Sequence, residues 1–176
     1  DKAHNEEEFR AQIKETIAKQ FEADSDYKFL IDVRNYAANK VGKLEFADEL
    51  MKRIMLENNK EKGEEFVAEH YDKSIEELTW HLIKEKLVRA NDIKVEQSDI
   101  TEMAKEATRA QFAQYGMINV PEELLENYSK EMLKKQESVE ALVNRAVEAK
   151  LCAVLKGQVT LNHKAVSAEE FNKMFE

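Results

Sequence analysis

The feature that most limits this chain is its shortage of helix breakers: four glycines and one proline in 176 residues, each lying between apolar-periodic segments. A chain so punctuated reads as a helical array. The first helix is expected from about Glu6 to Lys40, with Asn5 or His4 near its cap, an acidic first turn, and Phe9, Ile13, Ile17 and Phe21 spaced by four along one face. Tyr27, Leu30, Ile31 and Val41 extend that stripe. At 1.5 Å per residue this is a rod of roughly 50 Å, which needs partners along its length.

The remaining helices follow from the same signals. A second runs from about Ala47 to Asn58 after Gly42, and the polar stretch closing on Gly63 ends it. A third covers about Glu64 to Ala90, with Ser74 and Glu77 reading as a capping box that breaks or kinks it. The fourth spans about Glu96 to Tyr115 and is closed by Gly116. Pro121 suits the first turn of the fifth, which reaches about Gln136. Ser138 caps a sixth whose Val139, Leu142, Val143, Ala146, Val147, Leu151, Val154 and Leu155 form a broad stripe ending near Gly157. Ser167 with Glu170 caps a short last helix. Gln158 to Leu161 is too brief and isolated to argue for a sheet. Short polar connectors carrying two alternating apolar residues recur, as at Leu44 and Phe46 or Ile93 and Val95, either as reused turns or as an internal repeat.

Charge narrows the function classes. The chain has 27 Lys and Arg against 36 Asp and Glu, a formal charge of -9, which repels phosphate backbones and anionic lipid. Direct nucleic-acid and membrane partners are therefore disfavoured, and no apolar run has the length of a membrane span. With 36% charged residues and a mean hydropathy of -0.65, an elongated body is expected. The single cysteine, Cys152, has no intramolecular disulfide partner, which fits a reducing, cytoplasmic setting.

Catalytic signals are weak. His81 with Glu85, and Glu69 with His70, offer pairs of ligands and no third. Cys152 lacks a histidine at helical spacing or a helix N-terminus to lower its pKa. Too few glycines exist for a phosphate-cradling loop. Neither an enzyme, a metal site nor a cofactor is expected. Apolar surface is the better lead. Phe46, Leu50, Met51, Ile54, Met55 and Leu56 crowd the second helix more widely than one packed face requires, so the helix is either sandwiched as core or partly open to a ligand. Six methionines suit adaptable contacts. A second candidate surface gathers Phe112, Tyr115, Met117, Ile118, Leu124, Leu125 and Tyr128 around Gly116, either binding a ligand or closing a hairpin. Trp80 reads as a packing anchor.

Four stretches, in order, resemble the C-terminal domain of bacterial trigger factor: the opening Glu7-Glu8-Phe9-Arg10-Ala11-Gln12-Ile13-Lys14, the connector Leu44-Glu45-Phe46-Ala47-Asp48-Glu49-Leu50, the turn Arg89-Ala90-Asn91-Asp92-Ile93-Lys94-Val95, and Val120-Pro121-Glu122-Glu123-Leu124-Leu125-Glu126-Asn127-Tyr128. Ala47 departs from the proline more usual there, a change in a turn. The resemblance implies an all-α, elongated multi-helix array with a long N-terminal helix and protruding helical arms, one chaperone domain over residues 1–176. It implies ATP-independent binding of unfolded or nascent polypeptides in a cradle between the arms, with Phe112, Tyr115, Leu124 and Tyr128 matching apolar residues of the second arm. It also implies that the 176 residues are a fragment: the ribosome-docking and prolyl isomerase domains would lie upstream, so the ribosome is a partner only through an N-terminal domain. Two other classes remain open, a helical scaffold with one specific partner and a periplasmic chaperone resembling SurA. An apolar cradle also serves self-association as a homodimer.

Overall fold

The computed structural model describes residues 5–117 and 119–175. The chain is 79% helical, with seven α-helices, one 3-10 turn and no strand among the described residues. It forms two compact units, one of residues 1–85 with 163–176, the other of residues 86–162.

The first unit opens with α1, Glu6–Val41. Asn5 is extended and its side chain accepts the Glu8 N–H at 2.8 Å, filling one of the orphan donors of the first turn. Glu6, Glu7 and Glu8 place negative charge at the positive end of the helix dipole. Gly42, at φ +73°, ends the helix, its N–H donating to Ala38 O at 2.9 Å. No residue of α1 is buried, and residues 5–23 are all exposed. Helix α2 covers Asp48–Asn58, and α3 covers Gly63–Ala90 without the break expected at Ser74. There the Ser74 hydroxyl donates to His70 O at 2.9 Å, so it is satisfied within the helix rather than capping a new one. Val67, Tyr71 and Trp80 of α3 are the unit's buried apolar residues. The chain's last helix, α7 at Ala168–Asn172, belongs to this unit and runs into the 3-10 turn Lys173–Phe175. Ser167 and Glu170 form the expected capping box, each accepting the other's backbone N–H.

The second unit is built on α4, Gln97–Gln114, which packs against both α5, Glu122–Met132, and α6, Gln136–Gln158. The fifth helix is a turn shorter than its sequence suggested, because Leu133–Lys135 tighten into a turn that bonds back to Ser129, Glu131 and Met132. Pro121 is the N-cap of α5, at ψ 140°, rather than its first helical residue. The sixth helix starts two residues before Ser138, which is therefore not its cap. Residues 159–161 are irregular chain. Small side chains set the core: Ala104 and Thr108 of α4 meet Leu125 and Ser129 of α5, all buried. Thr108 donates to Ala104 O at 2.7 Å and Ser129 to Leu125 O at 2.6 Å, so each hydroxyl's one proton is used within its own helix. The two oxygens lie 3.4 Å apart as a packing contact. Leu142, Ala146, Leu151, Cys152 and Leu155 give α6 its buried stripe.

Candidate polypeptide-binding surfaces

Helix α2 divides its apolar residues between two faces. Asp48, Met51, Lys52 and Met55 fall at i, i+3, i+4 and i+7, one side of the helix. That side meets α3: the Tyr71 hydroxyl donates to Asp48 Oδ1 at 2.6 Å, the Lys52 ammonium lies 5.1 Å from the Tyr71 ring centre, and Ser74 Oγ is 4.0 Å from Met55 Sδ. Burial, then the hydrogen bond to Asp48 and the nearby acidic charges, push the Tyr71 phenol up to about 12. Met51, Met55 and Leu56 are half-buried as a result. Leu50 and Ile54, one turn apart on the other side, remain 55% and 47% exposed.

Beside α2 opens a cleft of about 1070 Å³, bounded by the end of α1, the connector after Gly42 and the middle of α3. Its apolar lining is Leu44, Phe46, Ile75, Trp80 and Ile83, with Tyr71 and Asp48 at one side. The polar lining includes Asn35, Asn39, Asp72, Glu76 and Thr79. Arg34 on α1 is held to Glu77 of α3 at 2.8 Å, fixing two of the elements that bound the space. A mixed cleft of this size admits a run of several side chains rather than a single small group. The sequence marks Phe46 as a candidate contact and Trp80 as a packing anchor. Trp80 is buried and also lines the cleft. The available signal was the alternation of Leu44 and Phe46, since in extended chain residues two apart point the same way.

The second surface surrounds the end of α4. Gly116, at φ +78°, donates to Ala113 O at 2.9 Å, and Met117 donates to Phe112 O at 3.0 Å, the paired bonds of a Schellman closure. Phe112 is half-buried and meets the Tyr128 ring edge-on, centres 5.0 Å apart. Tyr115 (77% exposed), Met117 and Tyr128 are open to solvent, and Leu124 is half-buried. Leu125 points the other way, 2% exposed in the α4–α5 core, and serves packing. Ile118 lies outside the described residues.

Three acidic residues near this surface are ion-paired. Glu122 meets Lys105 at 2.5 Å and Arg109 at 3.6 Å, Glu126 reaches Lys105 and Lys130, and Glu131 pairs with Lys134. The Lys105 hydrogen bond holds the Glu122 carboxyl below its ordinary range. At the far end of α4, Asp99 accepts the Glu96 N–H at 2.7 Å and the ammonium of Lys150 from α6 at 2.5 Å, and its pKa is lowered, chiefly by Lys150.

His70 stacks on Phe66 at 4.2 Å, and no cluster of three His, Cys, Asp or Glu side chains suited to a metal occurs among the described residues. None of their helices is long and apolar enough to cross a membrane. Among the described residues each unit leaves apolar side chains open on its helices, in an all-α fold. The chain belongs to the trigger factor C-terminal domain family: the family model described as "probable trigger factor, C-terminal domain" matches residues 25–175. That family is of chaperone type, and its C-terminal domain is not itself catalytic. Comparison with curated proteins and with solved structures gives no significant match.

Proposed function

We propose that this chain is an ATP-independent holding module for unfolded or nascent polypeptides, acting through Leu50 and Ile54, through the cleft lined by Phe46 and Trp80, and through Phe112, Tyr115, Met117, Leu124 and Tyr128. The observation that carries the reading is the exposure of Leu50 and Ile54 on α2, in a unit that also holds a cleft lined by Trp80 and Phe46, in a family of chaperone type. Exposed aliphatic and aromatic surface is what a non-native chain buries. Half-buried methionines at the edge, Met51 and Met55, supply unbranched side chains that re-pack against varied sequences. Ribosome association and prolyl isomerisation are assigned to other domains of a complete cytoplasmic protein, not to these residues.

The test is light scattering from an unrelated, chemically denatured protein diluted into buffer without ATP. The 176-residue chain in several-fold excess is expected to suppress its aggregation and that of a second, unrelated client. Protection of neither client would overturn the proposal, and binding of one defined folded partner alone would establish the scaffold class instead.

A further inference from the structure

The first half of α1 carries an apolar stripe that the proposed binding surfaces do not use. Phe9, Ile13, Ile17 and Phe21 recur every fourth residue, share one side of the helix and are all exposed. At its C-terminal end the chain covers the stripe itself. Phe171 meets Phe21 edge-on, with centres 5.7 Å apart and planes at 74°. Phe175 stacks on Tyr27 at 6.1 Å and 8°, and Phe171 and Phe175 contact each other at 5.2 Å. Four rings thus join the C-terminal segment to α1.

This cover is lightly held. Neither α7 nor the 3-10 turn has a buried residue, and Met174 and Phe175 are exposed. A helix of five residues is not stable by itself in water, so it depends on its capping box and its ring contacts. The capping bonds and the Lys173–Glu169 pair lie within the segment. The chain leading to it, residues 160–167, is irregular and mostly exposed.

We propose that this side of α1 is a further polypeptide-binding surface, occupied in cis by the C-terminal segment, and that a client segment bearing aromatic residues four positions apart displaces it. The chemistry of the occupant is read from the one already seated, whose Phe171 and Phe175 stand four apart. Displacement frees Phe21 and Tyr27 and joins them to Ile17, Ile13 and Phe9 in one continuous face roughly 27 Å long. The client half of this inference rests on the holding function proposed above.

The test uses a fluorescent peptide of residues 167–176 titrated by anisotropy into three proteins: the full chain, the full chain carrying F171S and F175S, and a chain ending at Val166. A tethered segment competes at an effective concentration near the millimolar range, so both uncovered proteins are expected to bind the peptide at least about fivefold more tightly than the full chain. Adding F21S and Y27S to the F171S/F175S protein is expected to abolish binding, and reduced, carboxymethylated α-lactalbumin is expected to compete the peptide away. Equal binding by all three proteins, or no binding by the uncovered ones, overturns the cover. Should the shortened chain lose helicity, F171S/F175S in the full chain decides the matter. Failure of the unfolded lactalbumin to compete overturns the client half. Loss of aggregation suppression with this peptide pattern intact would sink the holding function and leave the α1 cover standing.

Discussion

Asp92 shows how one residue closes a helix at some cost. It sits at φ +49°, alone in that region among the described non-glycine residues, immediately after α3. Its N–H bonds to Arg89 O at 3.2 Å and the next N–H, of Ile93, reaches Val88 O at 3.0 Å, the same pairing that Gly116 makes after α4. Aspartate tolerates the left-handed conformation better than most side chains, yet its Cβ is crowded there. Asp92→Gly is expected to stabilise the chain by about 0.5–1 kcal/mol, read as a higher denaturation midpoint with unchanged slope. An unchanged or lower midpoint would show that the exposed 3.3 Å pairing with Lys94 outweighs the strain. Individual residues were unequally legible. The cap of α1, left between Asn5 and His4, is Asn5, and the Ser167–Glu170 box forms as expected, because an N-cap signal depends on near neighbours in sequence. Ser74 misled because a serine inside a helix bonds the preceding turn's carbonyl as readily as it caps, and Ser138 because α6 already begins two residues before it.

At the scale of elements, α2 separates support from binding. Its crowded apolar sequence raised core and open surface as alternatives, and the structure divides the residues between both. Replacing Leu50 and Ile54 together with serine is expected to leave helicity and thermal stability nearly unchanged while weakening suppression of client aggregation. The paired change Met51→Ser and Met55→Ser, on the side facing α3, is expected to lower stability by roughly 1–3 kcal/mol. Equal stability losses from both pairs would place Leu50 and Ile54 in packing. The second unit offers a pH test at the start of α4. Because the Asp99 carboxyl is held below its ordinary value, chiefly by Lys150, its contribution is complete above that value and is lost as pH falls through the lowered one. The melting temperature should decline as pH drops below about 4, and Asp99→Asn should flatten that decline. A slope the same in both proteins would move the acid sensitivity to other carboxylates, Glu122 with Lys105 foremost. The cleft itself was largely hidden from sequence, since Arg34, Leu44 and Trp80 come from three separated segments and only the alternation at Leu44 and Phe46 marked its wall.

For the whole molecule, helix content was readable because breakers are so few, whereas the division at residues 85 and 86 was not, because α3 runs through it without a glycine or proline. Charge acts at this largest scale. With a formal charge of -9, much of the acidity is locally paired, as at Glu122, yet the net excess remains to act over distances near the Debye length, about 10 Å at 0.1 M salt. Encounter with a positively charged unfolded chain is steered by that field, while retention depends on apolar burial, which salt does not screen. Raising ionic strength from about 0.02 to 0.5 M should slow association with a basic unfolded probe by roughly tenfold or more, leaving dissociation little changed. L50S/I54S should do the reverse, speeding dissociation without altering the salt slope. A salt-independent association rate would mean that net charge contributes nothing to capture, and a salt-dependent dissociation rate in the parent chain would mean that ion pairs, not Leu50 and Ile54, retain the client.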